Sequence, residues 1–119
     1  MRHYERLVAW QLCHELALDI YRVTDSFPKH ELYGLTSQAR RAAVSAASNI
    51  AEGSAKRGNG EFRRYLDIVL GSLSELSYVL RIGKDLGLIA PDRWEQVDKL
   101  HARARFMTWK LYCAVAKRS

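Results

Sequence analysis

Little in this chain of 119 residues interrupts regular secondary structure. Only two prolines and seven glycines are present, which excludes collagen-like repeats and proline-rich disorder. No stretch approaches the roughly 20 apolar residues that a membrane-spanning helix needs. Residues 1–5 read MRHYE and lack the apolar core of a signal peptide, so we expect a cytoplasmic protein with no membrane partner.

Cysteine and the usual metal-binding spacings are also scarce. Cys13 and Cys113 are the two cysteines, and in a cytoplasmic protein we expect them to be reduced thiols of the core. The sequence contains no Cys-x-x-Cys, His-x-x-x-His or Glu-x-x-His, the spacings of zinc and di-iron sites. Asp98 and His101 stand three residues apart, but this pair has no second copy. We therefore predict no metal site, no cofactor, and a surface or interface position for His101.

Positive charge is what the chain has in excess. Lysine and arginine number 19 against 13 acidic residues, a net charge of +6. Residues 99–119 hold basic residues and no acidic one. Such a balance favours anionic partners, RNA or DNA among them. The apolar fraction of 48% and the length suit one globular domain over residues 1–119.

Four segments of helical periodicity, separated by three short breaks, account for almost the whole chain, and nothing alternates as a strand would. They cover approximately residues 4–26, 36–55, 60–86 and 91–117. Helices of this length with short connections predict an all-α fold, an antiparallel up-down-up-down four-helix bundle. The apolar arc of the first segment is too wide for one partner face.

Residues at the breaks indicate where each helix begins and ends. Pro28 ends the first segment, because the residue before a proline is disfavoured in a helix. Thr36 and Asn59 are the N-caps expected for the second and third segments. Gly87 is expected to end the third segment with a C-terminal turn, and Pro91 to open the fourth.

Each later segment has one face that is predicted to form the core. In the second segment this face carries small side chains, which lets a neighbouring backbone approach closely. The third segment repeats apolar residues in steps of three and four, as in bundle seams; they are Phe62, Leu66, Val69, Leu73, Leu76, Leu80 and Gly83. The core stripe predicted for the fourth segment is Val97, Leu100, Ala104, Met107, Leu111 and Ala114.

A polar stripe lies beside the core face of the second segment, and we treat it as a structural motif. Its members are Gln38, Arg41, Ser45, Asn49 and Glu52. One interpretation is a site lined by Arg41 and Glu52, but no histidine lies at the spacing of a nucleophile and its base. The other is a hydrogen-bonded seam or a solvated face, which we favour, so no catalytic residue is predicted.

The fourth segment carries basic residues interleaved with aromatic ones. They could follow a phosphate backbone while a ring stacks on a base, or Phe106 and Trp109 could be buried against another subunit. Both interpretations stay open, so Phe106 and Trp109 are candidates for an oligomer interface. The candidate nucleic-acid-binding residues are Arg57, Arg63, Arg64, Lys99, Arg103 and Lys110.

Several blocks of sequence resemble a known family. Residues 31–38 read ELYGLTSQ, 40–45 RRAAVS, 48–53 SNIAEG and 71–76 GSLSEL. They are similar to the bacterial four-helix-bundle proteins first noticed as open reading frames in intervening sequences of 23S ribosomal RNA genes. Ala46-Ala47 replaces the usual Ile-Pro of that family, which predicts a straighter second helix.

The resemblance implies a four-helix protomer that assembles as a homopentameric barrel. It also implies kinship with the accessory variability determinants of diversity-generating retroelements, which work with a reverse transcriptase and bind nucleic acid through a basic surface. The partners it suggests are therefore further copies of the chain, RNA or DNA, and a reverse transcriptase or another protein.

Three functions follow as hypotheses. The first is a non-enzymatic homo-oligomeric scaffold that binds RNA or DNA without sequence specificity. The second is a structural protein–protein adaptor with no nucleic-acid role, indicated by apolar arcs wider than one bundle needs. The third is an enzyme, which only the polar stripe supports, and we expect none.

Overall fold

The computed structural model describes residues 1–118, which fold into a helical bundle of 44 × 25 × 24 Å. Its long helices are α1 Val8–Thr24, α2 Ser37–Ser54, α3 Asn59–Asp85 and α4 Pro91–Lys117. The described residues contain no β-strand. The predicted four-helix bundle is therefore confirmed, and α2 is uninterrupted from end to end.

The helices pack as a square in chain order. α1 packs against α2 and α4, and α3 packs against the same two helices. Asp19 near the end of α1 bonds Arg93 at the start of α4, and Asn59 at the start of α3 bonds Arg118 after α4. These contacts fit the antiparallel order expected from the short connections. The α1–α2 and α3–α4 seams consequently lie on opposite sides of the bundle.

The first predicted segment is divided in two. A short 3₁₀ turn, His3–Arg6, is separated from α1 by Leu7, whose φ of −79° and ψ of 123° are extended. At the other end, α1 stops at Thr24, whose hydroxyl donates to the Ile20 carbonyl. The prediction of one helix from Tyr4 is thus wrong, since periodicity does not register a single extended residue.

The corner before α2 is built around Glu31. A 3₁₀ turn, Lys29–Glu31, leads into a wider turn, Leu32–Thr36. The Glu31 carboxylate accepts a bond of 3.1 Å from the Leu35 amide, and a Cβ on Gly34 would lie 2.6 Å from that carboxylate. Thr36 precedes α2 as expected, but its side chain makes no capping bond because the chain is already helical there.

The predicted cap of α3 is wrong. Gly58, with a φ of +85°, occupies the N-cap position, and Asn59 is the first residue of the helix. The Asn59 side chain instead donates to the Arg118 carbonyl at 3.3 Å. Glycine is suited to this turn because a side chain is strained at positive φ.

The end of α3 follows the prediction. Gly87 has a φ of +76°, and the amides of Gly87 and Leu88 donate to the carbonyls of Lys84 and Gly83, each at 2.9 Å. This is the paired hydrogen-bond pattern of a glycine C-terminal turn. Leu88 packs against the core, and Pro91 begins α4 as expected.

The core faces of α2 and α3 are confirmed, whereas that of α4 is confirmed only in part: Val97 and Ala104 are buried, and Leu100, Met107 and Leu111 pack at the edge of the core. Alanines of α2 and the seam leucines of α3 are buried. In α4 the predicted Leu100, Met107 and Leu111 are only half-buried, as is Ala114. The buried residues of α4 are Val97, His101, Ala104, Thr108 and Val115.

Hydrogen bonds explain why two polar residues of α4 are buried. His101 lies buried with its Nε2 2.7 Å from the Leu73 carbonyl oxygen of α3, so its predicted surface position is wrong. The Thr108 hydroxyl donates to the Ala104 carbonyl at 2.8 Å. A polar side chain can be buried at low cost when it has such a partner, and a pattern of apolar residues alone overlooks it.

Candidate functional site

The six candidate nucleic-acid-binding cations are all exposed, but the fold divides them into two groups. Lys99, Arg103 and Lys110 lie on α4, where they line the seam with α1. The other group lies in the α2–α3 loop and on the first turns of α3; it consists of Arg57, Arg63 and Arg64. No single groove among the described residues gathers all six.

A polar groove of ≈440 Å³ runs between α1 and α4. Lys99 and Arg103 line it on α4, together with Arg93. The Arg93 guanidinium makes a two-pronged contact with the Asp19 carboxylate, with Nη1–Oδ2 at 3.2 Å and a closer Nη2–Oδ1 contact. Arg22 approaches the same carboxylate at 4.0 Å. Asp19 is therefore occupied by two arginines.

Lys99 and Arg103 differ from these arginines because neither forms an ion pair with any residue in the described range 1–118. Further along the same seam, Lys110 and Arg6 line a second depression of ≈270 Å³. The α1–α4 side thus presents cations along much of its length, with two carboxylates, Glu15 and Asp19, among them in the first groove. Arg6, Arg22 and Arg93 were missed by the sequence analysis, although helical periodicity places Arg22 on the polar arc of α1.

The cations near the start of α3 are arranged more loosely. Arg64 approaches Glu61 at 3.9 Å, with both side chains at least half exposed. An exposed pair of this kind holds its partners weakly. Arg57 and Arg63 project without an ion pair inside the described part of the chain.

Only part of the polar stripe of α2 is joined by hydrogen bonds. Ser45 and Ser72 of α3 share a bond of 2.9 Å between their hydroxyls. The Asn49 amide donates to the Ser45 carbonyl at 2.8 Å and to its hydroxyl at 3.1 Å. Glu52 accepts from the Tyr65 hydroxyl at 3.5 Å. Gln38 and Arg41 are exposed.

These contacts fit a seam between α2 and α3 better than a reactive site. The Ser45 hydroxyl pairs with another hydroxyl, which cannot act as the base that a serine nucleophile needs. Within residues 1–118, no three histidine, cysteine or acidic side chains group closely enough to hold a metal ion. No helix in the same range is long and apolar enough to cross a membrane.

A further groove was not located from the sequence. It has a volume of ≈640 Å³ and lies between α1 and α2. Its apolar wall includes Leu18, Tyr21 and Val44, each exposed by 44–46%. Trp10 stacks on His14 with ring centroids 4.7 Å apart at one end. The wide apolar arc of the first segment is the sequence signal for this surface.

The candidate interface aromatics lie on α4, away from that groove. Phe106 is 59% exposed and Trp109 48%. The Trp109 ring stacks on Tyr112 with centroids 5.4 Å apart, and the Lys110 ammonium lies 5.7 Å from the centre of the Phe106 ring. Phe106 and Trp109 are therefore exposed aromatic side chains of α4, whereas Tyr112 is half-buried and packs against the core.

Both cysteines are free, but they differ in environment. Cys13 is buried beside Thr108, with Sγ–Oγ1 at 3.7 Å. Burial raises the pKa of its thiol to about 11, and the contact with Thr108 only partly offsets this. Cys113 is half-buried rather than a core residue.

Comparison with known proteins identifies the family of this chain. A crystal structure of a protein of unknown function from the S23 ribosomal protein family of Bacteroides thetaiotaomicron is similar, with a TM-score of 0.79 and 18% identity. The match covers 88% of this chain and 98% of that one. No curated protein matches. The family model described as 23S rRNA-intervening sequence protein matches residues 5–110. The chain therefore belongs to the 23S rRNA-intervening sequence protein family.

Proposed function

We propose that this protein is a non-enzymatic, homo-oligomeric scaffold that binds RNA or DNA without sequence preference through a basic surface. The observation that carries the proposal is the pair Lys99 and Arg103, two exposed cations that line a polar groove without an ion pair in the described chain. Such groups attract a phosphate backbone, because binding releases its condensed counterions.

Oligomerisation would give weak contacts their strength. One protomer offers few cations, but a symmetric assembly repeats each of them, and repeated sites bind a long strand far more tightly than a short one. The exposed α1–α2 groove, and Phe106 and Trp109 exposed on α4, support assembly, since contiguous apolar patches on a soluble protein commonly mark interfaces. We propose five copies, in accordance with the resemblance noted above.

Sequence preference should be slight. Lys99, Arg103 and Lys110 lie along a seam between two helices rather than on one protruding helix that could enter a groove of DNA. Base discrimination depends on side chains that reach base edges, whereas phosphate contacts only position the protein. We also propose a reverse transcriptase or another protein as a binding partner. The proposed compartment is the cytoplasm, because two free thiols suit a reducing compartment.

Filter binding tests the nucleic-acid role directly. Long single-stranded RNA and duplex DNA should both be retained at ~50 mM salt and released steeply towards ~200 mM. The double variant Lys99→Glu, Arg103→Glu should bind all sequences more weakly by a similar factor. Loss of two phosphate contacts should lower the slope of log affinity against log salt by about two per bound protomer.

A matched control has the same change in charge outside the α1–α4 groove. Lys29→Glu with Lys84→Glu alters exposed residues of the corner and of the last turn of α3. This variant should keep the wild-type salt slope. Equal losses in both double variants would show a response to net charge alone and contradict the groove as the binding surface.

The protein–protein adaptor is the competing function, and the apolar α1–α2 groove favours it. An adaptor needs no anionic ligand. If neither nucleic acid is retained at ~50 mM salt, where electrostatic binding is strong, the nucleic-acid role is wrong and the adaptor replaces it.

A further inference from the structure

We propose that a pocket where the last turn of α1 faces α2 binds a phosphate monoester through Arg40 and Arg41. The pocket has a volume of ≈340 Å³. It shares Tyr21, Val44 and Ser48 with the α1–α2 groove and therefore lies at one end of that groove. Both arginines lie outside the α1–α4 groove, so this site goes beyond the proposed function.

The Arg40 guanidinium is held in place by the protein itself. Its Nε donates to the Thr24 hydroxyl oxygen at 2.9 Å. Thr24 is buried, and its hydroxyl donates in turn to the Ile20 carbonyl at 2.7 Å. The guanidinium carbon lies 4.7 Å from the centre of the Tyr21 ring. A side chain that is already ordered loses less conformational entropy on binding, so Arg40 is suited to ligand recognition.

The charge of both arginines is available to a ligand. Within residues 1–118, the two Nη groups of Arg40 make no hydrogen bond, and neither Arg40 nor Arg41 forms an ion pair. Asp25 lines a separate depression beside Arg40. Among the described residues, no acidic side chain lines the pocket itself. The pocket therefore favours an anion.

Hydroxyl groups on the lining residues suit an anion with several oxygens. Tyr21 and Ser48 both line the pocket. The Ser48 hydroxyl donates to the Ser45 carbonyl at 3.3 Å, in an exposed bond that a ligand oxygen can replace. The Ser45 hydroxyl is already paired with Ser72 at 2.9 Å, so it forms part of the wall.

Two arginines match the charge of a terminal phosphate. A phosphate monoester carries roughly −1.5 to −2 charges at pH 7 and three strong acceptor oxygens. The planar guanidinium group can bind two of these oxygens at once. A phosphodiester within a nucleic-acid backbone carries only one charge, so it matches this pair of arginines less well. The ligand class is therefore a phosphate monoester, either a free compound or the end of a strand.

Isothermal titration calorimetry on the full chain at low salt tests the site with a matched pair of ligands. AMP and adenosine differ only by the phosphate group, so AMP should bind and adenosine should not. Inorganic phosphate should displace AMP. Adenosine that binds as tightly as AMP would overturn the proposal, as would a chain that binds neither AMP nor inorganic phosphate.

Short oligonucleotides distinguish the two sources of the phosphate. A 5′-phosphorylated strand that displaces AMP better than inorganic phosphate does would identify a strand end as the source. A 5′-phosphorylated strand that displaces AMP less well would identify a free phosphate compound. The same strand with a 5′-hydroxyl should not displace AMP. Equal displacement by both strands would show that backbone phosphates are sufficient and would overturn the proposal.

Three substitutions locate the binding. Arg40→Lys keeps the charge but loses the planar group, and it should weaken AMP binding roughly 10-fold or more. Arg41→Gln leaves the contact with Thr24 intact, so the bundle should fold, and it should weaken binding severalfold. Arg105→Gln is the control, because it removes an exposed charge of α4 outside the pocket. Equal losses in Arg41→Gln and Arg105→Gln would overturn the proposal.

The double variant Lys99→Glu, Arg103→Glu separates this site from the proposed function. It should bind long RNA more weakly but keep the wild-type affinity for AMP, since neither residue lines the pocket. Arg41→Gln should show the reverse. Loss of AMP binding in the double variant with no loss in Arg41→Gln would place the phosphate in the α1–α4 groove and overturn this site alone.

Discussion

At the scale of single residues, burial determines the chemistry of Cys13. Its side chain is 1% exposed in the contact of α1 with α4. The surroundings disfavour the thiolate and raise the pKa from its ordinary value of 9.0 to about 11. The unfolded chain therefore releases this proton at a lower pH than the folded chain does.

This difference predicts a loss of stability in alkali. Below pH 9 the thiol is protonated in both states, so it adds no pH dependence. Between pH 9 and about 11 only the unfolded state loses the proton, and unfolding becomes more favourable by up to about 1.4 kcal/mol per pH unit. Urea unfolding at pH 8 and pH 10.5 should show a smaller decline in Cys13→Ala than in the wild type. Parallel declines in the two proteins would contradict the assignment to Cys13.

His101 and Thr108 show why some core residues could not be predicted. Both residues are polar, so a hydrophobicity pattern assigns them to the surface. Both are nevertheless buried: the His101 ring lies beside a carbonyl of α3, and the Thr108 hydroxyl donates to a carbonyl one turn earlier in α4. The partner of His101 is Leu73, 28 residues earlier in the chain. Only tertiary structure brings such a partner close.

At the scale of elements, α2 and α3 are joined by small residues. Gly53 is buried where the two helices meet, and a Cβ there would lie 2.6 Å from Tyr65 Cβ and 3.1 Å from the Phe62 ring. Its burial fits the face of small side chains that the sequence predicts for α2. The close approach itself depends on how α3 is positioned.

Two glycine substitutions measure the close approach. Gly53→Ala should destabilise the protein by roughly 1–3 kcal/mol, because overpacking forces one helix away from the other. Gly71→Ala is the matched control: it is exposed within α3 and has no atom within 4 Å of the added carbon. The control should gain roughly 0.5–1 kcal/mol from its better helix propensity. Thermal unfolding of both variants measures these changes in stability. An unchanged stability of Gly53→Ala would contradict the close approach of α2 and α3 at this residue.

The polar stripe of α2 makes a prediction of its own. Asn49 holds two bonds to Ser45, whereas Arg41 is exposed. Asn49→Ala should therefore cost about 1 kcal/mol of unfolding free energy, and Arg41→Ala less than about 0.5 kcal/mol. Chemical denaturation of both variants provides the measurement, and nucleic-acid binding per folded molecule should be unchanged in each. A larger loss from Arg41→Ala would indicate that the stripe acts as a unit.

At the scale of the whole molecule, the helical architecture could be predicted from the sequence, but the grooves on its surface could not. Four periodic segments, Gly87 and Pro91 were enough for the helices and their order, because these signals are local. The shape of the α1–α2 groove depends on the distance between the two helices, and a local sequence pattern does not predict that distance. The polar groove between α1 and α4 likewise depends on a contact between Arg93 and Asp19, which lie 74 residues apart in the chain.

The proposed function depends most on assembly, because one protomer offers few cations and only repeated cations bind a long strand tightly. Light scattering coupled to gel filtration measures it most directly, on the wild-type chain and without a ligand. We expect one species whose mass is several times 13.7 kDa, about 69 kDa for five copies. A single species of 13.7 kDa at the same concentrations would contradict it.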